Sequence, residues 1–496
     1  MSFLGIDVGT SALKACVYRE DGHLLGSARV PVDVRRSKPG WQELDPQQVW
    51  NVTLYALRSL AEMAQVRADP IEALAVSASG DEVFPIDASG RPLAGSILSG
   101  DIRGSAIAAE TLRCQSALDW HHACGHVPER MDPVNRYLWL KKHNPAAMEG
   151  ANRLVGWHEF LTLRLAGRAV VDRSLASKWA VFDITTGGWS TQRLEQFDLH
   201  EGLLPEILPW RTVVGEITAS TAESTGLPVG AAVCVGGYDA SCSALGGGVS
   251  GPNAAGLACG SWEVVVAPIE GEASSHVLAE ARFSMIPHPD GDGFAAIAQS
   301  PNGTAVAEWA SNLVKLPLDA AQARLAGNGP GPGALLAVPH LSGALAIWRD
   351  PRESRGALIG LTLGTQPIDV LQAFLEAVGY ELTIMTRRLR DGGVPIRVLR
   401  ATGGGSRSAW WMQLKADLTG IPVEIVAQDE PGAFGAALLA MDAVTPHGSA
   451  SGLCETLTRV IRRYEPSAER CELHRRRLDR YSSLVELLVS ATTSTS

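Results

Sequence analysis

The residues of this chain whose types and spacing could do chemistry fall into short polar clusters that each follow an apolar run. The first is Asp7-Val8-Gly9-Thr10-Ser11. Gly9 lets backbone N–H groups approach an anion, Thr10 and Ser11 add hydroxyl donors, and Asp7 faces the same space. A carboxylate beside bound phosphates repels them unless a hard, oxygen-seeking cation such as Mg²⁺ lies between. The cluster therefore suits a nucleotide phosphate with its metal ion, although a plain hairpin with an Asp-Gly-type turn would read the same. The second is Gly236-Gly237-Tyr238-Asp239, followed by the small residues Ala240 to Ser243. An aspartate at a helix start is stabilised as the anion by backbone N–H groups, which alone describes an N-cap. The small side chains leave room beside Asp239 that a cap does not require.

Two further glycine clusters point to anions. Gly260-Ser261 sits between two apolar runs, and Gly403-Gly404-Gly405 precedes Ser408 and a helical pattern. Strand, glycine turn and helix N-terminus make an anion or nucleotide site. It is not a Walker A loop, since no Gly-Lys-Ser/Thr follows, and not a dinucleotide fingerprint, since no acid ends the next strand at the right distance. Asp81-Glu82 and Asp101, with Arg103, also stand just beyond apolar runs. Polar groups converging from several strand ends suit a polyhydroxylated ligand, whose hydroxyls need paired donors and acceptors; singly, each reads equally as a surface turn. His121, His122, Cys124 and His126 lie close together, but their spacing fits no structural-zinc pattern and reads as a polar helix-to-loop segment.

The elements that must position these groups follow from periodicity. Phe3 to Val8 and Lys14 to Tyr18 predict a hairpin, and Leu24, Leu25 and Ala28 a third strand. Asp45-Pro46 opens a helix, Ile71 to Ser77 is a buried strand, and Val83 to Asp87 and Ile97 onward repeat the strand pattern. Ala254 to Cys259, Gly260-Ser261 and Glu263 to Ala267 restate the opening hairpin. A hairpin with a glycine-plus-hydroxyl turn thus begins each half, the internal repeat of a duplicated fold with its ligand in the cleft between copies. The last helix is expected over Glu455 to Leu488. The 496 residues exceed one ordinary core. A formal charge of −10 and no Lys/Arg-rich arm argue against nucleic acid as a partner. No apolar run is long enough to span a membrane and the N-terminus enters a strand at once, so the expected compartment is the cytoplasm. The cysteines, without CxxC pairs, read as reduced apolar residues.

Together these pieces resemble the FGGY family of carbohydrate kinases (xylulose kinase-like), within the actin-like ATPase superfamily, to about residue 445. Its first signature matches Met131-Asp132-Pro133-Val134-Asn135-Arg136-Tyr137-Leu138-Trp139-Leu140, with Arg136 where the family usually has Lys. Its second matches Gly356-Ala357-Leu358-Ile359-Gly360-Leu361, then Val370 and Ala373-Phe374-Leu375-Glu376, with a bulkier Phe374 than usual. The resemblance implies an α/β fold of two duplicated actin-like (ribonuclease H-like) domains with an interdomain active-site cleft. These would be an N-terminal domain (1–247), a C-terminal nucleotide domain (248–445) and a helical extension (446–496). It implies ATP and Mg²⁺, and transfer of the γ-phosphate to a hydroxyl of a ketose or polyol. Asp239 would be the catalytic base and Asp7 the acid that positions Mg²⁺, with Asp239 also near the metal. Thr10, Ser11, Lys14, Gly260, Ser261, Gly303, Gly403, Gly404, Gly405 and Ser408 would contact ATP, while Asp81, Glu82, Asp101, Arg103 and Asp239 would contact the sugar.

The sugar side departs from well-known members. Xylulose kinases carry Met-His, and glycerol kinases Arg-Glu, where this chain has Gly80-Asp81, and Ser99 replaces the usual Trp before Asp101. A ketose (pentulose or hexulose) or polyol is expected, with a second copy of the chain, as a homodimer, the only protein partner in view. An actin-like sugar sensor or degenerate kinase is the rival reading, against which Asp7 and Asp239 are both present and no helix-turn-helix precedes Phe3. A dehydrogenase would want one early dinucleotide motif, and here the opening strand leads into another strand.

Overall fold

Ser2–Val8 is buried along its whole length, as an apolar strand with no solvated face must be. It forms the middle of a mixed sheet in the order Leu24–Pro31, Ala12–Arg19, Ser2–Val8, Ile71–Ala78, Ala232–Cys234, Val213–Glu216. The first three strands are an antiparallel meander. Ile71–Ala78 and Ala232–Cys234 then join in parallel, and Val213–Glu216 closes the edge antiparallel. The computed structural model describes residues 1–269, 273, 275–288, 293–328, 331–344, 354–445 and 449–493.

The contacts divide the chain into two units, one of Met1–Ser250, Ser284–Ala295 and Glu430–Thr458, the other of Gly251–Phe283, Ala296–Asp429 and Arg459–Ser496. The second unit repeats the first's sheet in the order Phe294–Ser300, Glu263–Ile269, Asn253–Cys259, Ile396–Thr402, Val423–Val426 and Val460–Tyr464. Again an antiparallel hairpin is followed by two parallel neighbours and an antiparallel edge. The duplication read from the two hairpins is therefore present strand by strand. Each sheet has its own apolar core.

The linear boundaries expected from the sequence divide the chain differently. The helix Pro431–Val444, expected in the second domain, packs in the first unit against Ser2–Val8 and the helix Asp239–Gly246. Glycines make this approach possible. A Cβ at Gly5 would fall on the Ala433 carbonyl, at Gly246 on that of Pro431, and at Gly435 on that of Cys242. Backbone thus meets backbone, an arrangement only glycine permits. The expected helix over Glu455 to Leu488 is corrected. Helices Ala450–Leu457 and Ala468–Thr493 flank the strand Val460–Tyr464. Val460, Ile461 and Tyr464 favour the pleated edge, and Pro466 prevents a helix from running through. Part of the expected extension, residues 446–448 and 494–496, lies outside the described residues.

Phe84–Ile86 and Ser96–Ile97 do not enter the main sheet. They pair with Arg153–Val155 and Glu43–Leu44 in small separate ribbons. Asp81 and Asp101 therefore do not end neighbouring strands of one sheet, as their matching contexts suggest. No helix among the described residues is long and apolar enough to cross a membrane.

Candidate active site

Asp7, the penultimate residue of the buried first strand, lies opposite Ser77 on one side and Lys14 on the other. The Ser77 hydroxyl donates to Asp7 Oδ1 at 2.8 Å, and Lys14 Nζ to Oδ2 at 3.2 Å. Lys14 Nζ also lies 3.2 Å from Glu430. Burial works against the ammonium, but Asp7 and Glu430 outweigh it and raise the Lys14 pKa. Beside them, Gly9 N–H donates to the Ala12 carbonyl in the tight turn, and Thr10 and Ser11 are exposed.

On the far side of Ile71–Ala78 from Ser2–Val8, Gly237 and Tyr238 pair with Ser77 and Ala78. Asp7 and Gly237 thus flank Ser77, their backbones two strand spacings or about 10 Å apart. Asp239 follows directly as the first residue of the helix Asp239–Gly246, whose cap is Tyr238 and not Asp239. Burial first, then the charges of Asp7, Glu82 and Asp81, push the Asp239 carboxyl up to about 7. The helix start does not prevail as expected. Its favourable field is worth about 1 kcal/mol or less, whereas the displacement corresponds to roughly 4 kcal/mol. A half-buried carboxyl that titrates near neutrality is suited to accept and release a proton.

Asp81 and Glu82 stand just beyond the end of Ile71–Ala78. Lys178 Nζ lies 3.3 Å from Asp81 Oδ1 and 4.8 Å from the centre of the Tyr238 ring. Burial disfavours its charge, but Asp81, Tyr238 and Asp239 together raise its pKa. Glu82 is buried with the Ser99 hydroxyl at 3.3 Å. Its pKa is raised by burial and then by Asp81, against the pull of Arg136. Arg136, on the helix Pro133–His143, donates to the carbonyls of Asp81 and Ile97, and to that of Leu98 at 2.6 Å. The first sequence signature thus ties two strand ends into one wall.

Asp101 and Arg103 face each other instead of open space. Arg103 donates from Nε and Nη2 to the Asp101 carboxylate, at 2.7 Å for the shortest contact, and from Nη1 to Glu43 at 2.6 Å. Gln42 N–H donates to Asp101 Oδ2 at 2.6 Å, and Trp41 and Trp139 cover the guanidinium. Arg103 N–H also donates to Asp101 Oδ1 at 2.8 Å, so four donors occupy the roughly four acceptor sites of this carboxylate, where the expectation was a sugar hydroxyl. The pair braces the loop around Gly100.

In the second unit the expected nucleotide residues come together. Gly260 N–H donates to the Trp262 carbonyl, a turn comparable to that of Gly9. Gly303 N–H and Thr304 N–H donate to the carbonyls of Ser261 and Gly260, at 3.0 and 2.7 Å. A Cβ at Gly303 would collide with this turn, and one at Gly405 would press on Cys259, Thr304 and Trp411. Gly403 has φ +84°, open to glycine with little strain. Ser408 caps the helix Ala409–Thr419 by accepting from Trp411 N–H at 3.2 Å. A cavity of about 210 Å³ opens here, walled by Ala307, Leu325, Leu375 and Trp411 and edged by Gly404 and Ser408. An apolar slot beside a glycine turn can take a flat base.

Lys178 and Ser77 belong to the site without standing out in the amino-acid order. The one signal for Lys178 is a lone cation in the apolar run Leu175 to Ile184; Ser77 carried none. Among the described residues no group of three or more His, Cys, Asp or Glu is placed to hold a metal ion. His126 instead pairs with Asp132 at 2.9 Å. All eight cysteines are free.

The chain matches the N-terminal domain of the FGGY family of carbohydrate kinases over residues 2–246 and its C-terminal domain over 257–444. It is 26% identical over 502 aligned residues to the L-xylulose/3-keto-L-gulonate kinase of Escherichia coli K12, covering 98% of this chain and 97% of that protein. Among solved structures, the gluconate kinase of Lactobacillus acidophilus superimposes with a TM-score of 0.90 at 20% identity, covering 100% of this chain and 99% of that one. The xylulose kinase of Rhodospirillum rubrum does so with 0.89 at 24%, covering 99% and 100%. At these identities the structural likeness establishes the fold.

Proposed function

Because the chain belongs to the FGGY family of carbohydrate kinases, we propose that it phosphorylates a ketose or polyol with Asp239 as general base. The protein is an ATP-dependent sugar kinase, a phosphotransferase with an alcohol acceptor. The observation that carries the residue assignment is the convergence of Asp7 and Asp239 on the end of one strand, with the Asp239 carboxyl pushed up to about 7.

Asp239 Oδ takes the proton of the sugar hydroxyl as that oxygen bonds to the γ-phosphorus and the bond to the ADP oxygen breaks. Lys178 and Asp81 hold neighbouring hydroxyls, Lys178 as donor and Asp81 as acceptor, while Glu82 and Ser99 shape the wall behind them. Arg136, Asp101 and Arg103 brace that wall. Thr10, Ser11, Lys14, Gly260, Ser261 and Gly303 are the proposed phosphate contacts. Gly403, Gly404, Gly405 and Ser408 edge the proposed base slot.

Asp7 and Asp239 are the residues that would hold Mg²⁺, partly through water. Two carboxylates of like charge acting on one space fit a cation, and two such ligands match an ion that keeps waters and phosphate oxygens in its shell. Bound there, Mg²⁺ would neutralise charge on the β- and γ-phosphates. The proposed place of work is the cytoplasm, where ATP is supplied.

The relatives' names suggest which acceptors to test first. Pentuloses of both enantiomeric series, hexuloses, aldonates and polyols, each at saturating Mg·ATP, are assayed for ADP release. One ketose or polyol should raise the rate far above ATP hydrolysis alone, and Asp239→Asn should abolish that rise. A panel in which only aldonates respond would refute the acceptor class; no response to any acceptor would refute transfer.

A further inference from the structure

The strand that delivers Asp239 carries an irregularity. Ala232 and Val233 pair with Ala73 and Leu74, and at that step Gly236 would face Ser77; instead Gly237 does. One extra residue is therefore taken up between Cys234 and Gly237. Side chains alternate along a strand, so a slip of one residue reverses every side chain beyond it. The bulge thus decides how the chain enters the helix that Asp239 begins.

A bulge also removes N–H groups from the ladder, and buried ones need other acceptors. Val235 N–H donates to the Thr212 carbonyl at 3.0 Å, and Tyr238 N–H to Ser174 Oγ at 3.0 Å. Gly236 N–H donates to His158 Nε2 at 3.0 Å. A Cβ at Gly236 would fall on the Val76 carbonyl, so the bulge lies pressed on the central strand. His158, on the helix Trp157–Ala166, is fully buried, and its Nδ1 lies 3.0 Å from the Val170 carbonyl. A carbonyl oxygen can only accept and an N–H can only donate. The ring must therefore be neutral with its proton on Nδ1. Burial supports that form by holding the imidazole pKa down to about 4.

We propose that His158 is a positioning residue for catalysis, a neutral Nδ1–H imidazole that accepts from Gly236 N–H, holds the bulge and so aims Asp239. The proposal rests on Asp239 being the base. His158→Asn can still donate towards Val170 but is too short to accept from Gly236, whereas His158→Gln places a carbonyl oxygen near the position of Nε2. His158→Asn should lower kcat by about 10²-fold, the scale for a reacting group displaced by about 1 Å. KM for sugar and ATP affinity should stay within about threefold of wild type, because the loss is confined to the transition state. His158→Gln should recover most of kcat.

Thermal melting verifies that the variants are folded. Wild-type kcat in His158→Asn, or equal loss in both folded variants, overturns the proposal. Should His158→Asn fail to fold, the decision passes to His158→Gln and to Ser174→Ala, which removes the acceptor on the far side of the bulge. A folded but inactive His158→Gln, or a Ser174→Ala that alters KM alone or nothing, overturns it as well. Asp239→Asn is assayed beside them: near-wild-type kcat in that variant would refute the base assignment by itself, separately from the hydrogen-bond series.

Discussion

Replacing Asp239 by asparagine should destroy turnover and at the same time stabilise the fold. The folded carboxyl binds its proton more tightly than the unfolded chain does, 3.8 being the ordinary value and about 7 the folded one. The unfolded state therefore ionises first as pH rises, and the folded state loses stability between about pH 4 and pH 7. Full ionisation across that interval corresponds to roughly 4 kcal/mol. Because Asp239 is half-buried and meets water, about 2 kcal/mol is the expected gain when a neutral amide takes its place. At about 2–4 °C per kcal/mol for units of this size, Tm should rise by about 4–8 °C at pH 8 and not at pH 4. The assay is calorimetry of wild type and Asp239→Asn across that range, without Mg²⁺ or nucleotide, whose charges would alter the balance. Turnover should fall by about 10²–10⁴-fold in the same variant. A Tm gain that does not depend on pH, or a loss at pH 8, would refute the electrostatic account; undiminished turnover would refute the chemical one.

Two further substitutions separate the sugar and nucleotide sides. Lys178→Met leaves Asp81 without its cation and removes a positive charge near Asp239. It should lower kcat/KM for the sugar by about 10–10²-fold, as an unpaired buried group costs about 1–3 kcal/mol. It should also move the acid limb of kcat/KM to higher pH and leave KM for ATP alone; an equal loss for ATP would mean a merely structural lysine. Gly303→Ala drives a methyl into the Gly260–Ser261 turn. KM for ATP should rise about tenfold with sugar KM unchanged, and an unaffected KM for ATP would count against the phosphate role of that turn.

Much of this protein is legible in the amino-acid order because its informative signals are local. Phe3 to Val8 must be buried because no face is polar, Gly9 and Gly260 mark turns because they follow apolar runs, and the recurrence of that hairpin declares the duplication. Asp45-Pro46 opens the helix Pro46–Ala61 as its residue types require, with Asp45 accepting from Gln47 N–H. Asp7 and Asp239 were visible for the same reason, each an acid at the boundary of a short recognisable element.

What only the tertiary structure decided depends on pairings between distant residues. Asp81 and Asp101 look alike in sequence, yet one has a lysine 97 positions away as its partner while the other is filled by Arg103 and Gln42. The titration of Asp239 follows from burial and from three carboxylates brought beside it, which outweigh the helix start that the sequence displays. The return of Pro431–Val444 to the first unit is set by backbone contact at Gly5, Gly246 and Gly435, which become neighbours only on folding. The bulge before Asp239 leaves no mark on hydrophobic pattern at all, because it is a difference in register between two strands, and register exists only once both strands are paired.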